Sequence, residues 1–172
     1  MSGRFEFEDD KKSGDLYLAI GLLATCFAGL ERQLIDSISD LSIRIHNGAD
    51  SRDPNTLSYG ETVKQFKRMI CEQYSGNEPM LKHCIKVAER LSNAGEERND
   101  VLHSEWMVFS DRYLQSRARK GKSHKSQSTI HRDVNEIHLA TERIEELIFD
   151  LIELTPERTS VDGWVPIRAF DV

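Results

Sequence analysis

Apolar residues recur in steps of three and four from Leu16 to Ile45, through Ile20, Leu23, Phe27, Leu30, Leu34, Ile38 and Leu41. That is the period of one helix face, because an α-helix turns once in ~3.6 residues. Glu31, Arg32, Asp36, Ser39 and Asp40 fill the intervening surface of the second half. The spacing predicts a long helix that starts at Ser13 or Asp15 and stops at Asn47-Gly48. Next comes a stretch of Gly, Asp, Ser, Pro and Asn from Gly48 to Leu57, which breaks the pattern. Ser58-Tyr59-Gly60-Glu61 then has the S-x-x-E form in which two side chains satisfy orphan amides reciprocally. Val63, Phe66, Met69 and Ile70 follow on one face, and Tyr74-Ser75-Gly76 ends that second helix.

Asn77 caps a third helix, with Pro79 tolerated in its first turn, and Leu81, Cys84, Ile85, Ala88 and Leu91 form its inner stripe. Ser92 to Gly95 reads as an interruption, after which Asn93-Ala94-Gly95-Glu96 caps a separate short helix through His103. Trp106, Val108 and Phe109 follow, and then a stretch rich in Ser, Lys and Arg up to Ser128, which fits a β-hairpin or a mobile loop. Asp133 and Glu136 cap the last helix, whose inward residues are Ile137, Ala140, Ile144, Leu147, Ile148 and Leu151, with Thr155-Pro156 as its stop. The reading is therefore all-α: one domain over residues 1–172, an antiparallel bundle of four main helices plus a short motif helix. A flexible N-terminus (1–12) and a C-terminal tail (156–172) flank the bundle at 13–155. The tail carries Trp164, Ile167 and Phe170, apolar residues expected to dock.

Composition changes this picture little. The net charge of -6 argues against a protein that coats nucleic acid non-specifically, while leaving room for a local basic patch. The three cysteines, Cys26, Cys71 and Cys84, contain no C-x-x-C pair, so neither a disulfide framework nor a zinc site is expected. The charged N-terminus is unlike a signal peptide. The uncharged run Leu16 to Leu30 is shorter than the ~20 residues a bilayer span needs. A cytoplasmic protein with no membrane partner is the expectation.

One constellation carries chemistry. Asn99 and His103 lie four apart and share a helix face, whereas Arg98 lies about 140° round from His103. Together they offer a proton carrier, a permanent cation suited to phosphate, and an orienting amide. The same Arg-to-His spacing class recurs at Arg119–His124, Arg117–His124 and Arg132–His138, but only Arg98 is followed by a polar residue within a capped helix. The competing reading is a salt-bridged helix surface, with Arg98 paired to Glu97, Asp100 or a neighbouring helix.

Arg98-Asn99-Asp100-Val101-Leu102-His103 resembles the signature of the HEPN superfamily, small helical bundles that often act as RNases. That signature is an Arg, four to six residues and a His, commonly with Asn, Asp or His after the Arg. The likeness of architecture covers roughly Asp15 to Leu154, and the sequence-specific part is Arg98 to Trp106. The resemblance implies a metal-independent endoribonuclease without a cofactor, working as a homodimer with two His103 side chains in one cleft. It implies that one His103 takes the 2′-hydroxyl proton, the other protonates the leaving 5′-oxygen, and Arg98 stabilises the phosphorane-like charge. Asn99 would hold the histidine or the phosphate, and the product would be a 2′,3′-cyclic phosphate.

Arg117, Arg119, Lys120 and Lys122 are the candidate RNA contacts, and a toxin or phage-defence role with an antitoxin protein is the biological setting the resemblance suggests. Some members carry a Tyr two residues after the His as a modification site. This chain has Glu105 there. The alternative is a non-catalytic HEPN-like module that dimerises and binds a protein or nucleotide.

Overall fold

In the computed structural model, residues 3–46, 53–108, 113–118 and 127–154 are described. They form four helices, α1 (Gly3–His46), α2 (Tyr59–Gln73), α3 (Glu78–Leu102) and α4 (Val134–Leu154). A three-stranded antiparallel sheet, β1 (Glu105–Val108), β2 (Tyr113–Ala118) and β3 (Gln127–Arg132), lies between α3 and α4 in the chain. The fold is a helical bundle, as its sequence periodicity requires.

The inner stripes match the residues that periodicity selects. Leu16, Leu23, Phe27, Leu30, Leu34, Ile38 and Leu41 of α1 are buried, as are Val63, Phe66, Met69 and Ile70 of α2. Every predicted inward position of α4 is buried too. In α3, Cys84, Ala88 and Leu91 are buried while Leu81 and Ile85 are half-exposed. At ~25 cal/mol per Å² of apolar surface removed from water, this continuous core is the main term holding the helices together.

Direction follows from contacts between helices. Cys26 meets Glu145 and Gly29 lies against Ile148, so α4 runs parallel to α1. Phe27 stacks on Tyr59 and His46 pairs with Glu72, so α2 is also parallel to α1. Only α3 runs the other way, so the expected antiparallel arrangement holds for α3 against α2 and α4 but not for α1 against α2 or α4. Helix α3 is joined to α2 by the tight turn at Tyr74–Gly76 and clamped to α4 by Arg90 with Glu146 and Asp150, and by Arg143 with Glu97.

Local signals behave as the residues dictate at three caps. The Glu61 carboxylate accepts from the amide and the hydroxyl of Ser58 at the start of α2. Asn77 Oδ1 accepts the Met80 amide at the start of α3, and Asp133 accepts the Asn135 amide before α4.

Two further expectations are corrected. Helix α1 does not begin at Ser13 or Asp15: it runs from Gly3, and both residues lie within it. A polar residue caps only where the chain enters the helix, and Lys11, Lys12 and the residues before them continue it. Nor is there a separate motif helix. The chain from Glu78 to Leu102 is one helix, with Ala94 and Gly95 buried inside it. The capping-box pattern at Asn93 is overridden by tertiary packing, as described below. Stops assigned at Asn47-Gly48 and Thr155-Pro156, and the tail at 156–172, lie outside the described residues. Among those described, α1 is the one helix long and apolar enough to cross a membrane by length and composition.

Candidate functional site

The motif occupies the C-terminal turn of α3. Gly95 explains why that helix continues without a break. A Cβ on Gly95 would stand 2.6 and 2.8 Å from Cε1 and Cδ1 of Tyr59. Tyr59 therefore lies directly on the α3 backbone, and its hydroxyl donates to the Leu91 carbonyl at 2.8 Å. Burial, then the charge of Glu31, raises the Tyr59 phenol above its ordinary range, so it remains a donor at every practical pH. On its other side Tyr59 packs on Phe27, with ring centroids 4.7 Å apart and planes tilted by 52°.

Arg98 completes this stack. Its guanidinium carbon lies 5.3 Å from the centre of the Phe27 ring, a cation–π arrangement. Nη1 donates to Asn99 Oδ1 at 2.9 Å, and Nε is buried with no hydrogen-bond partner. Among the described residues no carboxylate pairs with Arg98. The nearest candidate in sequence, Glu97, is taken by Arg143 at 2.6 Å. Among the described residues Arg98 therefore has an aromatic seat on Phe27 and no ion pair within 4 Å.

His103 is the residue at which α3 ends, its amide donating to the Asn99 carbonyl at 3.1 Å. Its side chain is exposed. No hydrogen bond joins it to Arg98, in keeping with the angular offset along the helix, or to the Asn99 side chain, whose Oδ1 accepts from Arg98 instead. The three residues share one end of one helix, with Arg98 turned to the bundle and His103 to solvent.

The sheet caps this end. The last carbonyls of a helix have no partner within it. Gln115 Nε2 donates to the Asp100 carbonyl, and to Ser104 Oγ at 2.8 Å, while Ser104 Oγ donates to the same carbonyl. The Trp106 indole N–H donates to the Val101 carbonyl at 3.0 Å. Trp106 and Gln115 face each other across the β1–β2 ladder, so one cross-strand pair holds two successive carbonyls. The sequence alone assigns Gln115 no role. A lone Gln amid basic and aromatic residues carries no signal of its own.

The proposed RNA contacts are not brought to this site by any described contact. Arg117 is in β2 opposite Ser128, and Arg119, Lys120 and Lys122 lie outside the described residues. Tyr113 of β2 donates to the Lys12 carbonyl at 3.2 Å, which ties the sheet to the first third of α1. Tyr59, Phe27 and Gly95 are site-shaping residues that sequence reasoning missed. The available signal was an isolated glycine within a helical pattern, which points to close packing as readily as to a break.

Comparison with protein-family models, with curated proteins and with solved structures finds no match to this chain.

Proposed function

We propose that the protein is a metal-independent, HEPN-like endoribonuclease that works as a homodimer through Arg98, Asn99 and His103. The observation that carries the reading is an Arg98 cation with no ion pair among the described residues, seated on Phe27 and five residues from an exposed His103. A guanidinium without a carboxylate partner is poised for an anion, and the phosphorane-like transition state of RNA cleavage gathers negative charge. An exposed imidazole can reach a ribose hydroxyl, which a buried one cannot. The neutralisation of Glu97 by Arg143 removes one of the carboxylates that would repel a phosphate backbone.

In this reading two His103 side chains, one from each protomer, act as base and acid. Arg117, Arg119, Lys120 and Lys122 contact the RNA backbone, and a toxin or defence role in the cytoplasm, held in check by a protein antitoxin, follows from the same proposal.

The test is cleavage of total cellular RNA by the purified protein in EDTA, beside His103→Ala. Fragments ending in cyclic phosphate, absent with the variant, are expected. Cleavage by neither protein refutes the reading, and equal cleavage by both removes His103 from it. A second reading has one observation in its favour. The half-buried Arg98 on Phe27 also serves packing, as it would in a non-catalytic helical module that dimerises and binds a protein or nucleotide.

A further inference from the structure

The His103 side chain makes no hydrogen bond or ion pair among the described residues, so its position is set chiefly by the backbone from Leu102 to Ser104. That backbone is the end of a helix, where fraying is the default. Two side chains oppose it, Gln115 on the Asp100 carbonyl and Trp106 on the Val101 carbonyl, two residues and one residue short of the helix end. Both come from the sheet that begins two residues after His103. Gln115 is 5% exposed, so water cannot take over its two donated bonds if the amide is lost. The bond to Ser104 Oγ fixes the residue directly after His103, so Gln115 spans the imidazole-bearing residue from both sides.

We infer that Gln115 is a positioning residue for His103, and that the β1–β2 ladder serves to lock the catalytic turn. Trp106 is the second arm of the same clamp. This inference rests on the ribonuclease reading above. Catalysis through proton transfer demands placement within about 1 Å, and an error of that size costs up to ~10²-fold in rate. The substrate-binding cation is held independently, through Arg98 on Phe27, so loosening the clamp affects turnover rather than affinity.

The experiment compares wild type, His103→Ala, Gln115→Met and Ile70→Val. Met keeps the length of Gln and donates nothing. Ile70 is buried in the core near the end of α2 opposite Tyr59, and its substitution supplies a general loss of stability. Gln115→Met is expected to lower kcat about 10- to 100-fold with KM within about twofold of wild type. Amide hydrogen exchange at His103 is expected to accelerate, while amides in the middle of α1 stay protected. Ile70→Val should leave kcat and the His103 amide unchanged.

A Gln115→Met protein that cleaves at the wild-type kcat overturns the inference alone. A fall in kcat matched by Ile70→Val at the same loss of Tm overturns it as well, by reducing Gln115 to a stability residue. Wild-type protein that cleaves no RNA overturns it together with the reading beneath it.

Discussion

Gly95→Ala is the sharpest test of how the motif helix is built, because two effects of opposite sign meet at one atom. In an exposed helix interior the change would stabilise by ~1 kcal/mol, since Ala loses less backbone entropy than Gly. Here the new Cβ stands 2.6 Å from one ring carbon of Tyr59 and 2.8 Å from another, distances that real contacts do not allow. The ring cannot simply swing away. Its hydroxyl is bonded to the Leu91 carbonyl and its face is packed on Phe27. Overpacking costs ~1–3 kcal/mol, and loss of the hydrogen bond costs ~1 kcal/mol. The net expectation is a destabilisation of about 1–3 kcal/mol once the helix gain is subtracted, or a Tm lower by about 3–9 °C for a domain of this size.

Thermal and urea denaturation measure it, with Tyr59→Val as the second arm of a double-mutant cycle. Val has neither of the atoms in conflict, so Gly95→Ala should become neutral or stabilising in that background, a coupling of ~1–3 kcal/mol. An increase in Tm on Gly95→Ala in the wild-type protein would refute the close approach of Tyr59. An equal loss in both backgrounds would show that the glycine is needed for some other reason.

Other expectations can be checked with the same protein. His103→Ala should leave the Tm within a degree or two, because the side chain is exposed, while lowering cleavage by ~10²–10⁴-fold. Burial, reinforced by the Glu145 carboxylate, pushes the Cys26 thiol up to about 11. At pH 8 it is therefore almost wholly protonated, and its alkylation should accelerate only as the pH rises towards that value. Exposed Cys71 should be modified well before Cys26 or buried Cys84, which peptide mapping by mass spectrometry would reveal. Arg90 bridges Glu146 and Asp150, but 42% of its side chain is exposed. Arg90→Met should accordingly cost less than ~1 kcal/mol, and less still at high salt. Phe66→Ala, at a fully buried position, should cost ~3–5 kcal/mol by urea denaturation.

Much of the bundle was legible because burial imposes a period. The stripes of α1, α2 and α4, the Ser58 and Asn77 caps and the turn at Tyr74–Gly76 all follow from spacing and cap chemistry that act within a few residues. What failed was local chemistry outvoted by distant packing. Asn93-Ala94-Gly95-Glu96 has every feature of a helix start, yet Tyr59, more than thirty residues earlier, presses on Gly95 and keeps the helix whole. Ser13 and Asp15 are good cap residues inside a helix that simply starts earlier. At the motif, the types and spacing of Arg98, Asn99 and His103 were readable. The Phe27 seat of Arg98 and the Gln115–Trp106 clamp were not, since each depends on which strand or helix arrives beside α3. Even the strands were only half visible, as a segment fitting either a hairpin or a loop, because short strands of mixed polarity leave little periodicity to read.

The parallel pairing of α1 with α4 has a consequence for how the chain is made. Cys26 and Glu145 are separated by 119 residues, so this part of the first helix finds its partner only after that length of chain has been made. At ~5–20 residues per second, the ribosome needs roughly 6–24 s to supply it. Through that interval the apolar stripe from Leu16 to Phe27 is without α4, and only the later part of α1 has α2 to cover it. Newly made chains should therefore be clients for chaperones that bind exposed apolar helices. Release of chains truncated before residue 134 should give aggregates rather than a smaller folded bundle.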